Sequence, residues 1–158
     1  MVPLSSLAAW SVQHIRNVFE APSDELSRRA VAATFSPALA ASLNGKALDF
    51  DGLCWLVSSM RASAPGGLKV EWKHPNEAPD DVLNRNGSLV GEYIIRGIWK
   101  NVPDSDSDDL RLCEFERHKK VDVRIESQSS EPGLDSRLIV RLGIVASDIL
   151  VVDRSKSW

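Results

Sequence analysis

Cysteine is scarce in this chain. Only Cys54 and Cys113 occur among 158 residues, far apart and outside any C-x-x-C motif. A disulfide framework is excluded on that count, and two reduced thiols are the expectation. Cys54 lies among apolar helix residues, where a thiol behaves as a small hydrophobe. Histidine is nearly as rare: His14, His74 and His118 are scattered and lack zinc-ligand spacing. Positive charge is not in excess, with 19 Lys and Arg against 22 Asp and Glu and a net charge of -3. General nucleic-acid binding needs a basic face to neutralise phosphates, so that class is set aside, as is binding to anionic membrane surfaces.

Long apolar runs are also missing. None approaches the ~20 residues that a membrane helix requires. The first residues, MVPLSSLAAWSVQHIR, lack a basic segment followed by a long apolar one, so no signal peptide is expected and a cytoplasmic location is. There is no G-x-G-x-x-G, no P-loop, no H-E-x-x-H and no serine-centred nucleophile elbow. No cofactor and no metal are expected. Asp104, Asp106 and Asp108 alternate like the start of a calcium loop, but Asp109 stands where glycine is needed and Phe115 where glutamate is. A solvated loop is the reading there.

What is present is a change of period. Hydrophobic residues make up 43% of the chain, enough to bury a core without staples. Leu4, Leu7, Ala8, Val12, Ile15, Val18 and Phe19 fall on one helical face. Pro22 ends that helix. Ser23 caps a second, with Asp24 and Glu25 in its first turn, and Ser36-Pro37 breaks it. A short strand over Leu39–Leu43 leads into an Asn44-Gly45 turn. Asp49 then caps a third helix with the stripe Phe50, Leu53, Cys54, Val57 and Met60, which Ala64-Pro65-Gly66-Gly67 stops.

From Leu68 the period is 2. Leu68, Val70, Trp72 and His74 share one face of a strand that Pro75 is expected to close. Longer strand patterns follow over Ser88–Lys100, Leu110–Ser127 and Arg137–Ser147, with a bend expected near His118-Lys119-Lys120. One α+β domain over residues 1–158 is predicted: a curved antiparallel sheet wrapped around three N-terminal helices, forming a cone with an internal pocket. Its core spans about 4–150, and 151–158 is a tail.

The segment FSPALAASLNGKALDFDGLCWLVSSMR, with Phe35-Ser36-Pro37, Ala41-Ser42-Leu43-Asn44-Gly45-Lys46 and Leu48-Asp49-Phe50-Asp51, resembles the nuclear transport factor 2-like superfamily. In that family it is the end of the second helix, a short strand, a turn and the capped third helix. The resemblance covers about residues 4–150. It implies a pocket between helices and sheet and a homodimer formed through the sheet. Members include ketosteroid isomerases, scytalone dehydratase, limonene epoxide hydrolase, polyketide cyclases and non-catalytic association domains. Their catalytic residues differ from branch to branch, so none transfers onto this motif.

Candidate catalytic groups therefore come from the residues themselves. His14 borders the first helix's apolar stripe, and histidine suits acid–base work because its pKa is near about 6.5. The competing role is a boundary histidine held by a hydrogen bond. His74 shares the apolar strand face and is expected to point inward. Tyr93 alternates with Leu89, Gly91, Ile95, Gly97 and Trp99 and would present its hydroxyl as an oxyanion donor, with ordinary aromatic core as the alternative. Trp72, Trp99, Met60 and Arg61 are expected to bind ligand. Glu92 and Arg96 fall on the other face with Val90, Ile94 and Ile98, a mixture that suits a sheet-mediated homodimer or a solvated face. The leading function is a pocket for a small hydrophobic molecule, with cofactor-independent dehydration, isomerisation or cyclisation as its chemistry. The alternative is a non-catalytic dimerisation or protein-association domain.

Overall fold

The computed structural model describes residues 2–103 and 109–151. The acidic stretch 104–108, where a solvated loop is expected, and most of the tail, with Trp158, lie outside the described residues. The elements run α1 (Leu7–Phe19), α2 (Asp24–Thr34), β1 (Phe35–Leu43), β2 (Lys46–Leu48), α3 (Phe50–Ala62), β3 (Lys69–Pro79), β4 (Gly87–Pro103), β5 (Leu110–Ser127) and β6 (Arg137–Leu150). The helix starts follow the local chemistry. Ser23 Oγ accepts the Leu26 N–H at 3.2 Å, and Asp49 Oδ1 accepts the Gly52 N–H at 2.8 Å. Each cap of this kind stabilises a helix by about 1 kcal/mol. Asn44 and Gly45 both have positive φ, +50° and +81°, as a tight β1–β2 hairpin turn requires.

The six strands form one open sheet in the order β2-β1-β6-β5-β4-β3. All neighbours are antiparallel except β1 and β6, which run parallel. The sheet is thus mixed rather than wholly antiparallel, because α3 and four strands separate β1 from β6 and return the chain in the same direction. The α+β cone is otherwise as expected. β4 and β5 are 17 and 18 residues long. Strands of that length twist and are bent by bulges. Bulges interrupt the β3–β4 register between Lys73 and Asn76, and the β4–β5 register between Ile95 and Ile98. The β5–β6 register shifts at Arg124/Ile125. No shift falls at His118-Lys119-Lys120, where the bend was expected.

Two of these bulges move side chains. Gly97, at φ +97°, absorbs the extra residue in β4. Ile98 consequently enters the core at 2% exposure, and Trp99 turns to the outer face. Simple alternation from Tyr93 had placed each on the opposite side. In β3, His74 adopts φ +47° at the register break and is exposed, not inward. Pro75 does not end the strand, since β3 is the sheet edge and a residue there needs no outward N–H bond.

The core lies between the helices and the concave sheet face. Leu7, Trp10, Ile15 and Val18 of α1 and Leu53, Val57 and Met60 of α3 pack on Ile95, Val121, Val123, Ile125, Ile139, Leu142 and Ile144. One buried cation ties the base of the cone. Arg137 donates to the Ser5 carbonyl at 2.7 Å, the Asn84 carbonyl at 3.1 Å and both Asp135 oxygens at 2.9 Å. Among the described residues no helix is long and apolar enough to cross a membrane.

Candidate functional site

Strand register builds a row of four residues across the concave face. Trp72 of β3 pairs with Tyr93 of β4, Tyr93 with Lys119 of β5, and Lys119 with Ala146 of β6. The Trp72 and Tyr93 rings lie 4.7 Å apart at 42°. Tyr93 and Lys119 are both buried, at 4% and 7% exposure. The ammonium of Lys119 meets aromatic faces: Nζ is 4.9 Å from the Phe19 ring centre and 5.6 Å from that of Tyr93.

Two spaces meet at Lys119. One is a cavity of about 300 Å³ that opens beside Arg117 and Asp148 and runs past Met60, Val57 and Ile144. The other is an inner space of about 20 Å³, bounded by Ser11, Trp72, Tyr93 and Lys119. That is room for roughly one water-sized group. Ser11 and Trp72 each carry a buried polar atom, Oγ and Nε1, without a hydrogen-bond partner. An unpaired buried polar atom costs about 1–3 kcal/mol, so a polar group within reach of either atom would gain a hydrogen bond. A larger, open groove of about 880 Å³ runs along β1, β5 and β6. Its Arg124 is already paired with Asp80 at 2.6 Å, and it holds none of these unpartnered atoms. The cavity and the inner space that meet at Lys119 are therefore the candidate site, although they are the smaller.

Electrostatics single out the same lysine. Burial is the main cause that lowers the Lys119 amine from 10.5 to about 7; Arg117 lowers it further and Asp148 opposes. Desolvation disfavours the charged amine, and Asp148 offsets that only in part. Burial likewise pushes the Tyr93 phenol up, so it stays a neutral hydroxyl. At the mouth, Asp148 takes a bidentate pair from Arg117, with Oδ1 2.7 Å from Nε and Oδ2 3.1 Å from Nη2. Lys100 Nζ joins it at 2.5 Å. These bonds, the Arg117 one foremost, hold the Asp148 carboxyl down to about 2.

The residues named from sequence divide in two. Tyr93, Trp72 and Met60 line the cavity or its inner end. The others stand elsewhere. His14 stacks on Trp10 with ring centres 4.2 Å apart, and its Nδ1 lies 3.1 Å from Thr34 Oγ1. Burial lowers its pKa, against Asp135. It faces α2 rather than the sheet. His74 is exposed at the β3 bulge, and Trp99, at 37% exposure, is on the outer face. Arg61 donates to the Phe19 and Ala21 carbonyls at 3.1 and 2.9 Å and pairs with Asp24, tying α3 to the α1–α2 connection. His118 pairs with Glu116 at 3.0 Å on the outer face. Lys119 is the group that the sequence reading missed. Its signal was an inward-facing charge in the alternation Lys119, Val121, Val123, Ile125.

No protein-family model matches this chain, and no curated protein does. Solved structures do. An NTF-2-like protein of unknown function from Pseudomonas aeruginosa superposes with a TM-score of 0.53 at 15% identity, covering 89% of this chain and 94% of that one. An uncharacterised protein with a cystatin-like fold from Caulobacter vibrioides gives 0.54 at 9% identity, over 94% and 89%. A cystatin-like-fold protein of unknown function from Nostoc punctiforme gives 0.54 at 9%, over 93% and 96%. At such identities the likeness is one of fold.

Proposed function

From the nuclear transport factor 2-like fold that this chain adopts, we propose that it binds a small hydrophobic molecule in the cavity beside Lys119. Cofactor-independent proton-transfer chemistry, in the class of isomerisation, dehydration or cyclisation, fits the groups available. The observation that carries the reading is a buried amine, poised near neutrality, at the end of an apolar cavity that opens to solvent. A group with a pKa close to the working pH both gains and loses a proton readily. Tyr93 supplies a hydroxyl that burial keeps neutral, suited to donating a bond to a developing oxyanion. Met60 and Val57 form apolar wall, and Trp72 caps the inner end.

Titration with 1-anilinonaphthalene-8-sulfonate, read by fluorescence, tests the binding. Saturable binding by the native chain, abolished by Ala146→Leu beside Lys119, is the expected result. Binding that is unsaturable, or unchanged by Ala146→Leu, would sink the proposal.

A second reading is association through the outer sheet face. It is favoured by Val90, Trp99, Val145 and Ile149, which are exposed there by 47%, 37%, 62% and 46%. Sedimentation velocity tests it: a dimer that Val145→Lys dissociates supports this reading, and a monomer at high concentration refutes it.

A further inference from the structure

We propose that Lys119 is a nucleophile toward hydrophobic aldehydes or ketones, forming an imine between its Nζ and the carbonyl carbon inside the cavity. The inference rests on the reading of this cavity as a small-molecule site and names its substrate class.

Four observations lead there. Lys119 sits where the cavity and the inner space meet, so a molecule entering past Arg117 and Asp148 reaches the amine before the cone closes. No carboxylate hydrogen-bonds that amine among the described residues; it lies over the rings of Phe19 and Tyr93 instead. An amine locked in an ion pair has no lone pair to offer, whereas this one sheds its proton at little cost. Next, Trp72 and Ser11 both line the inner space with an unpartnered polar atom; Trp72 Nε1 only donates and Ser11 Oγ can donate. Their complement is an acceptor without a proton of its own, and a carbonyl oxygen is one that fits a space of about 20 Å³. Finally, the walls of Leu53, Val57 and Ile144 are apolar, which selects a hydrocarbon body.

The step balances without an oxidant or reductant. The nitrogen lone pair forms a bond to the carbonyl carbon, giving a carbinolamine. The C–O bond then breaks, and the oxygen leaves as water with the two protons that the amine loses. Protonation of the resulting imine draws electrons from the neighbouring carbon, which loosens its C–H bond. That is the activation that isomerisation or dehydration of a carbonyl compound needs.

The full chain incubated with hexanal and sodium cyanoborohydride at neutral pH tests this, because the reagent reduces an imine to a stable hexyl amine. Peptide mapping by mass spectrometry follows each lysine of the unmodified chain, so no variant has to fold. Exposed Lys46, Lys69, Lys73 and Lys120 serve as internal comparators. Lys119 is expected to be alkylated at least about tenfold faster than they are, since a desolvated neutral amine reacts and a hydrated ammonium does not. Alkylation of Lys119 no faster than the comparators would overturn the proposal. Saturable 1-anilinonaphthalene-8-sulfonate binding by the untreated chain would then leave the small-molecule site standing, and its absence would remove both.

Discussion

Tyr93 and Lys119 face each other in direct register across β4 and β5, with the lysine Nζ 5.6 Å from the phenol ring centre. Neither has an ion-pair partner among the described residues, and both lie on the concave face. A sheet that only needed a core would place apolar residues at both positions. The pair thus sets the terms for the functional experiments.

Lys119→Met should stabilise the protein below neutral pH. The folded-state pKa of about 7 lies beneath the ordinary value of 10.5. Between those values the unfolded chain holds a proton that the native state has shed, so protonation favours unfolding and native stability rises with pH. The penalty is fully present below about pH 7. Urea denaturation should find Lys119→Met more stable than the native chain by about 2 kcal/mol or more at pH 6, with the gap shrinking by pH 9. A gap that does not vary with pH would contradict the buried-amine description.

Asp148→Asn tests the mouth. Its carboxyl is held at about 2, below the ordinary 3.8, chiefly by Arg117. A depressed carboxyl contributes stability above the unfolded value and loses it as pH falls toward 2. The side chain is 21% exposed and its partner Lys100 40%, so screening keeps the effect to about 1 kcal/mol. Acid titration of unfolding should show Asp148→Asn weaker than the native chain at pH 6 and equal to it near pH 2.

Tyr93 separates packing from chemistry. Tyr93→Phe keeps the ring against Trp72 and Phe19. Its stability should stay within about 1 kcal/mol of native, whereas Tyr93→Ala should lose about 3 kcal/mol or more to the cavity it opens. If Tyr93→Phe unfolds as readily as Tyr93→Ala, the hydroxyl is structural.

Gly97→Ala should destabilise by about 2 kcal/mol or more, measured by thermal denaturation. Its φ of +97° is one that L side chains rarely adopt, and an added Cβ would sit 2.6 Å from the Gly67 carbonyl oxygen. The resulting disorder should register as greater exposure of Trp99 in fluorescence quenching. A neutral outcome would mean that the β4 bulge is not what sets the outward turn of Trp99.

His14→Ala and His74→Ala should each leave 1-anilinonaphthalene-8-sulfonate affinity within about twofold of native, because neither lines the cavity. A large loss in either would put a histidine back in the site.

Much of the fold was readable without coordinates. The three helices, their Ser23 and Asp49 caps, the Asn44-Gly45 turn and the extent of Leu110–Ser127 depend on neighbours a few residues apart. Such short-range signals are written in period and capping chemistry. The site was readable only in part. Tyr93, Trp72 and Met60 fell in the cavity because period 2 and period 3.6 put them on apolar faces. His74 and Trp99 did not, because a bulge adds one residue and reverses every side chain beyond it.

The sequence by itself determined the element order, the two apolar periods and the absence of metal, phosphate and dinucleotide motifs. Folding alone could decide where the strands lose register, that β1 would lie parallel to β6, and that Trp72, Tyr93, Lys119 and Ala146 would form one row. The reason is distance along the chain. Lys119 is charged and unremarkable on its own strand, and it becomes a near-neutral amine only when α1, α3 and two other strands remove water from around it.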